Sequence, residues 1–101
     1  MKAAYYLTTA IPYANASPHI GFALEILYTD VMARYQRLLG HDVYFLTGSD
    51  EHGQKVLKTA KEHGATAAEY AGQISAQYQN LGDQLNISNN DFIRTTEARH
   101  I

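Results

Sequence analysis

At 101 residues, 46% hydrophobic and 18% charged, the chain has the composition of one small globular domain and not of a disordered segment. Eight basic against ten acidic side chains, a formal charge of -2, argue against a dedicated nucleic-acid-binding domain, which carries an excess of Lys and Arg. The absence of cysteine removes disulfide frameworks and thiolate metal sites, and no apolar stretch is long enough to span a membrane.

The start, Met1-Lys2-Ala3-Ala4-Tyr5, runs straight into a first predicted strand and has no apolar region of signal-peptide type, so a cytoplasmic location is expected. Residues 4–9, rich in Tyr and Thr, read as that strand. Residues 11–18 hold both prolines and read as a loop, with Ser17-Pro18 resembling a capped helix start. From Ile20 onward, Ile20, Leu24, Leu27, Val31, Tyr35 and Leu38 recur at three- and four-residue spacing and predict one helix with an apolar stripe. Gly40 is its expected left-handed end.

Val43-Tyr44-Phe45-Leu46-Thr47 lacks polar alternation and predicts a parallel strand buried on both faces. Residues 48–53 form a polar loop beyond it, followed by a helix over about 54–63 that stops at Gly64. Thr66 and Glu69 match a capping box, and Tyr70, Ile74, Tyr78, Leu81 and Leu85 supply the stripe of a third helix. The stretch 88–96 is turn-rich and is not assigned to an element. Strand, crossover helix, strand and helix make an α/β unit with a parallel sheet. Open sheets of this kind bind ligands beyond the carboxyl ends of their strands, where the polar clusters 13–21 and 48–53 both lie.

Several residues in those clusters carry chemistry, each with a plainer alternative. His19 and Gly21 stand at a loop-to-helix junction, where free N–H groups attract anions. Gly21 lets a flat group approach the backbone or simply relieves packing. Asp50 and His52 reach one cavity, or form a solvated loop in which Asp50 caps the next helix. Ile11 and Tyr13 line a small apolar pocket or pack as a lid. Lys55, Lys58 and Lys61 read as a solvated face, with Glu51–Lys55 and Lys58–Glu62 spaced for i,i+4 ion pairs. The glycines fit neither the dinucleotide fingerprint nor the P-loop, and the histidines lack the spacing of a dedicated zinc site.

In four ordered blocks the chain closely resembles the N-terminal part of methionyl-tRNA synthetases, a family of class I aminoacyl-tRNA synthetases. The blocks are Tyr6-Leu7-Thr8-Thr9-Ala10-Ile11-Pro12-Tyr13-Ala14-Asn15, Pro18-His19-Ile20-Gly21, Asp30-Val31-Met32-Ala33-Arg34-Tyr35-Gln36-Arg37 and Phe45-Leu46-Thr47-Gly48-Ser49-Asp50-Glu51-His52-Gly53-Gln54-Lys55. Phe92-Ile93-Arg94-Thr95-Thr96-Glu97 is also similar to that family. The resemblance implies a Rossmann-like parallel sheet with crossover helices, the N-terminal half of the class I nucleotide-binding fold. It makes residues 1–101 an incomplete N-terminal portion of a catalytic domain.

The activity so implied is ATP-dependent activation of L-methionine to methionyl-adenylate, with Mg2+, and transfer of the methionyl group to tRNA(Met). By the same resemblance Ile11 and Tyr13 contact the methionine side chain and Asp50 its ammonium group. His19 lies over the ATP phosphates, Gly21 faces the adenine, Asn15 shapes the phosphate loop, and Glu25 lies near the nucleotide end. Zinc belongs only to a connective insertion outside these residues, and the remainder of the synthetase chain is an implied partner.

Two departures stand out. The class signature is His-x-Gly-His, but this chain has Phe22 at the last position, and loss of one preorganised donor costs about 10²–10³ in rate. The Lys-Met-Ser-Lys-Ser-type loop and the anticodon domain lie outside the chain. The isolated 101 residues are therefore expected to charge no tRNA and to be marginally stable or self-associated. The alternative is a non-catalytic nucleotide-binding or interaction domain derived from the same fold.

Overall fold

In the computed structural model, which describes residues 3–101, six elements follow one another; the Met1-Lys2 start lies outside the described residues. They are β1 (Ala4–Thr8), α1 (Ile20–Leu38), β2 (Asp42–Ser49), α2 (Gln54–Glu62), α3 (Ala67–Gln84) and β3 (Asp91–Arg94). The strands form one parallel sheet in the order β1-β2-β3, with Tyr6 opposite Tyr44 and Thr47 opposite Phe92. The Rossmann-like α/β arrangement with crossover helices is therefore present.

β3 lies within the stretch that the sequence leaves unassigned. Four residues flanked by turn formers carry almost no local strand signal; long-range pairing makes them a strand. Gly48 is what allows it. A Cβ there would come within 2.1 Å of the Ile93 carbonyl oxygen, so only glycine lets β3 approach β2 this closely.

β2 is covered on one face, not on both. Val43, Phe45, Thr47 and Ser49 alternate into the buried side, on which α1 and α3 pack, whereas Tyr44 remains exposed. Tyr44 stacks instead on exposed Tyr6 of the neighbouring strand, with ring centroids 5.9 Å apart. An unbroken apolar run was a poor guide here, because tyrosine tolerates an open sheet face.

The stripe on α1 also points the other way from a core stripe. Ile20, Leu24, Leu27, Val31, Tyr35 and Leu38 are all exposed, and the helix buries Phe22, Ile26, Asp30 and Ala33. Asp30 accepts hydrogen bonds from Arg34 Nε at 2.9 Å and from the Ser88 N–H at 2.8 Å, which anchors the segment leading into β3. On α3 the expected residues do face inward, with Tyr70, Ile74 and Tyr78 buried and Leu81 and Leu85 packed against the core.

Helix ends follow local chemistry. α1 is capped by His19, not Ser17, because the His19 ring reaches Gly21 N–H from extended backbone. Thr66 caps α3 by accepting from Glu69 N–H at 3.2 Å. Gly40, Gly64 and Asn86, all with positive φ, terminate the three helices with paired back-bonds, for example Gly40 N–H to Arg37 O and His41 N–H to Gln36 O. The i,i+4 ion pairs expected on α2 are not formed among the described residues; Glu51 is buried and pairs with Arg94 instead.

Candidate active site

Beyond the carboxyl ends of β1 and β2 the chain makes a shelf of two loops and one helix start. Thr9, at the end of β1, shares a hydroxyl hydrogen bond of 2.7 Å with Thr47 of β2, which closes the floor. The next N–H, that of Ala10, donates to Glu25 Oε1 at 3.1 Å, so this exposed glutamate ties α1 to the first loop.

The loop then turns toward β2. Asp50 N–H donates to Pro12 O at 2.8 Å, and Ala14 N–H donates to Asp50 O at 2.9 Å. These two bonds flank Tyr13 and set it beside Asp50 in a short parallel bridge. Tyr13 and Ile11 are left 54% and 39% exposed. From below, Tyr70 Oη donates to Asn15 O at 2.9 Å and Tyr78 Oη to Ala16 O at 3.4 Å, so α3 holds the far side of the loop. Asn15 is thereby held through its backbone.

At the start of α1, His19 Nδ1 accepts from Gly21 N–H at 3.0 Å. With Nδ1 an acceptor, the neutral ring carries its proton on Nε2, which remains a donor for an anion. A Cβ on Gly21 would lie 2.8 Å from His19 Cε1, so the flat group that bare Gly21 admits in this structure is the imidazole itself. Phe22 points elsewhere: it is buried and meets the Tyr78 ring edge-on at 4.9 Å. It contributes packing between α1 and α3 and no polar group to the shelf.

The Asp50 neighbourhood differs from the sequence expectation in three respects. Asp50 does not cap α2, whose cap is Gly53 with no side-chain hydrogen bond. His52 N–H donates to Asp50 Oδ1 at 3.3 Å, but its ring turns to Thr95, with Nε2 3.1 Å from the carbonyl oxygen. Glu51, read as a solvated partner of Lys55, has a fully buried side chain bonded to Arg94 Nε at 2.8 Å, Ser75 Oγ at 2.5 Å and Thr96 Oγ1. Burial pushes this carboxyl up, yet the hydrogen bonds from Arg94, Ser75 and Thr96 and the Arg94 charge hold it below its ordinary value. Sequence reasoning gave Glu51 only a surface ion pair with Lys55 and gave Arg94 and Thr95 no role; the available signal was that Glu51 lies in the 45–55 block, and Arg94 and Thr95 in the 92–97 stretch, that are similar to the family.

Among the described residues no three His, Asp or Glu side chains converge as a metal-binding group, and no helix is long and apolar enough to cross a membrane.

A family model described as tRNA synthetases class I (M) matches residues 5–101. The methionine–tRNA ligase of Rhizobium meliloti (strain 1021) is 58% identical over 96 residues, covering 95% of this chain and 19% of that protein. The chain belongs to the methionyl-tRNA synthetase family. Its residues match part of the N-terminal catalytic domain of these enzymes. A second methionyl-tRNA synthetase relative, from Listeria monocytogenes serovar 1/2a (strain ATCC BAA-679 / EGD-e), is 50% identical over 99 residues, 98% of this chain and 15% of that one.

Among solved structures, a Mycobacterium tuberculosis methionyl-tRNA synthetase in complex with methionyl-adenylate superposes with a TM-score of 0.96 at 51% identity. The match covers 99% of this chain and 19% of that chain. A crystal structure of the same synthetase bound by methionyl-adenylate gives 0.94 over 95% of this chain and 19% of that one. The chain thus spans about a fifth or less of the length of these relatives.

Proposed function

We propose that the protein containing this chain is a methionine–tRNA ligase and that residues 1–101 form one wall of its active site. The observation that carries the reading is the clamp of Tyr13 to Asp50 alongside a helix start whose His19 Nε2–H is free to donate. Asp50 takes the ammonium group of L-methionine, and Ile11 and Tyr13 take its thioether side chain. His19 donates to the ATP phosphates, Gly21 and Asn15 shape the space around the nucleotide, and Glu25 holds the loop beside it.

The chemistry needs little proton transfer on this wall. The methionine carboxylate is itself the nucleophile: one oxygen attacks the α-phosphorus of ATP, and the bond to the β-phosphate breaks with release of pyrophosphate. A hydroxyl of the terminal adenosine of tRNA(Met) then attacks the activated carbonyl, the acyl–phosphate bond breaks, and AMP leaves with the hydroxyl proton passing to its phosphate. These residues contribute alignment and fixed donors, effects whose loss costs about 10²-fold or more. Mg2+ accompanies ATP and neutralises phosphate charge; any zinc belongs to segments outside this chain. The remainder of the synthetase supplies the opposite wall and the tRNA contacts, in the cytoplasm.

The test is methionine-dependent ATP–pyrophosphate exchange by the full-length protein, with Leu, Ile and Val as competitors for the assignment. Methionine is expected to be preferred, and Asp50→Ala to lower exchange by about a hundredfold, because the bound ammonium loses its charged partner. Equal exchange with another amino acid would overturn the methionine assignment. The isolated 101 residues are expected to give no exchange.

A further inference from the structure

Thr95, just past β3, touches four consecutive residues of the Asp50 loop. Its N–H donates to Ser49 O at 3.2 Å, and its carbonyl oxygen lies 3.1 Å from His52 Nε2. Its hydroxyl oxygen accepts from Glu51 N–H at 2.8 Å, which leaves the hydroxyl proton for Asp50 Oδ1 at 3.4 Å. Thr95 is only 5% exposed, so water is a poor substitute for these partners. On either side of it, Arg94 and Thr96 grip the buried Glu51 carboxylate.

Asp50 is therefore held from two directions. Its peptide group is fixed by Pro12 and Ala14 and its Oδ1 meets His52 N–H at 3.3 Å and Thr95 Oγ1 at 3.4 Å, an arrangement that commits one carboxylate oxygen to the protein and leaves the other without a hydrogen bond among the described residues. A carboxylate that must meet an ammonium group at a set angle gains from such orientation, because the rotamer is chosen before the ligand arrives. We infer that Thr95 is a positioning residue for amino-acid binding, acting through Asp50, with Glu51 and Arg94 locking the turn on which it sits. This rests on the reading of Asp50 as the ammonium partner.

The experiment uses the full-length enzyme and its exchange reaction, with 4-(methylthio)butanoate, the analogue of methionine lacking the amino group, as a competitive inhibitor. Thr95→Val is expected to raise KM for methionine about three- to tenfold, a lost hydrogen bond. KM for ATP, kcat and the Ki of the des-amino analogue should stay within about twofold. Thr95→Ser, which keeps the hydroxyl, should stay within about twofold of the unmodified enzyme for every parameter. A merely structural role would weaken methionine and its des-amino analogue together. That result overturns the inference, as does an unchanged KM in Thr95→Val, or Thr95→Ser with a raised KM, which is informative even if the valine variant fails to fold. If the unmodified enzyme shows no methionine-dependent exchange, or Asp50→Ala retains it, the underlying reading fails and this inference falls with it. An active enzyme crippled by Asp50→Ala but indifferent to Thr95→Val would refute the positioning role alone.

Discussion

Helices α1 and α3 carry apolar residues at the same helical spacing, but α3 turns its stripe into the core and α1 turns its stripe out. The inner face of α1 is a second, shorter series, Phe22, Ile26, Asp30 and Ala33, with a carboxylate in the middle. α3 packs against α2, β2 and the Phe22 ring, so its one apolar face has one place to go. α1 has apolar residues on two faces, and only one of them meets the sheet. Periodicity names a face; the neighbours decide whether that face is a core or a surface. The outward face of α1 and, on the opposite side of the sheet, the Tyr6–Tyr44 pair both stay exposed among the described residues.

Substitutions can break this comparison. Ile74→Ala on α3 and Ile26→Ala on the inner face of α1 each remove a buried side chain and should cost about 2–4 kcal/mol in urea unfolding of the chain. A small effect at Ile26 with a large one at Leu24 would reverse the assignment of faces.

Acid should act on the polar centre of the same inner face. Burial raises the Asp30 carboxyl, but hydrogen bonds from Ser88 and Arg34 and the Arg34 charge outweigh it, leaving the group below its ordinary value of 3.8. A depressed carboxyl stabilises the fold above that value and loses its contribution as pH falls through the lower, folded one. Glu51 behaves alike below its ordinary 4.5. Unfolding followed from pH 6 to pH 2 should show this loss, and Asp30→Asn should be less stable at neutral pH with a flatter acid limb. An identical pH profile in the variant would contradict the linkage.

The smallest effect on stability is expected on the outer face. Val31→Lys, at a residue 66% exposed, should change unfolding by no more than about 0.5 kcal/mol. Sedimentation should nevertheless show reduced self-association of the 101-residue chain, because a charge now interrupts the apolar face. Destabilisation by several kcal/mol would mean that Val31 is core.

Within the candidate site, legibility divides along the same line. Ile11, Tyr13, His19, Gly21 and Asp50 could be picked out because they stand at strand ends and at a helix start. The clamp of Tyr13 to Asp50, and the contribution of Thr95 from 45 residues beyond Asp50, could not. Glu51 looked like one more surface charge next to Lys55, since nothing within four residues reveals that Ser75 and Arg94 enclose it.

By itself the sequence determined β1 and β2, the three helices, the Thr66 cap, the glycine ends at Gly40 and Gly64, and the gathering of polar residues beyond parallel strands. Each of these follows from side chains within a turn or two of one another: dihedral preference, capping hydroxyls and spacing act locally. Tertiary structure alone decided that 91–94 is a strand, that His19 caps α1, that one face of β2 is open and that the long stripe of α1 faces outward. Those outcomes depend on which element arrives to bury a surface or complete a hydrogen bond, and residues far along the chain supply that element.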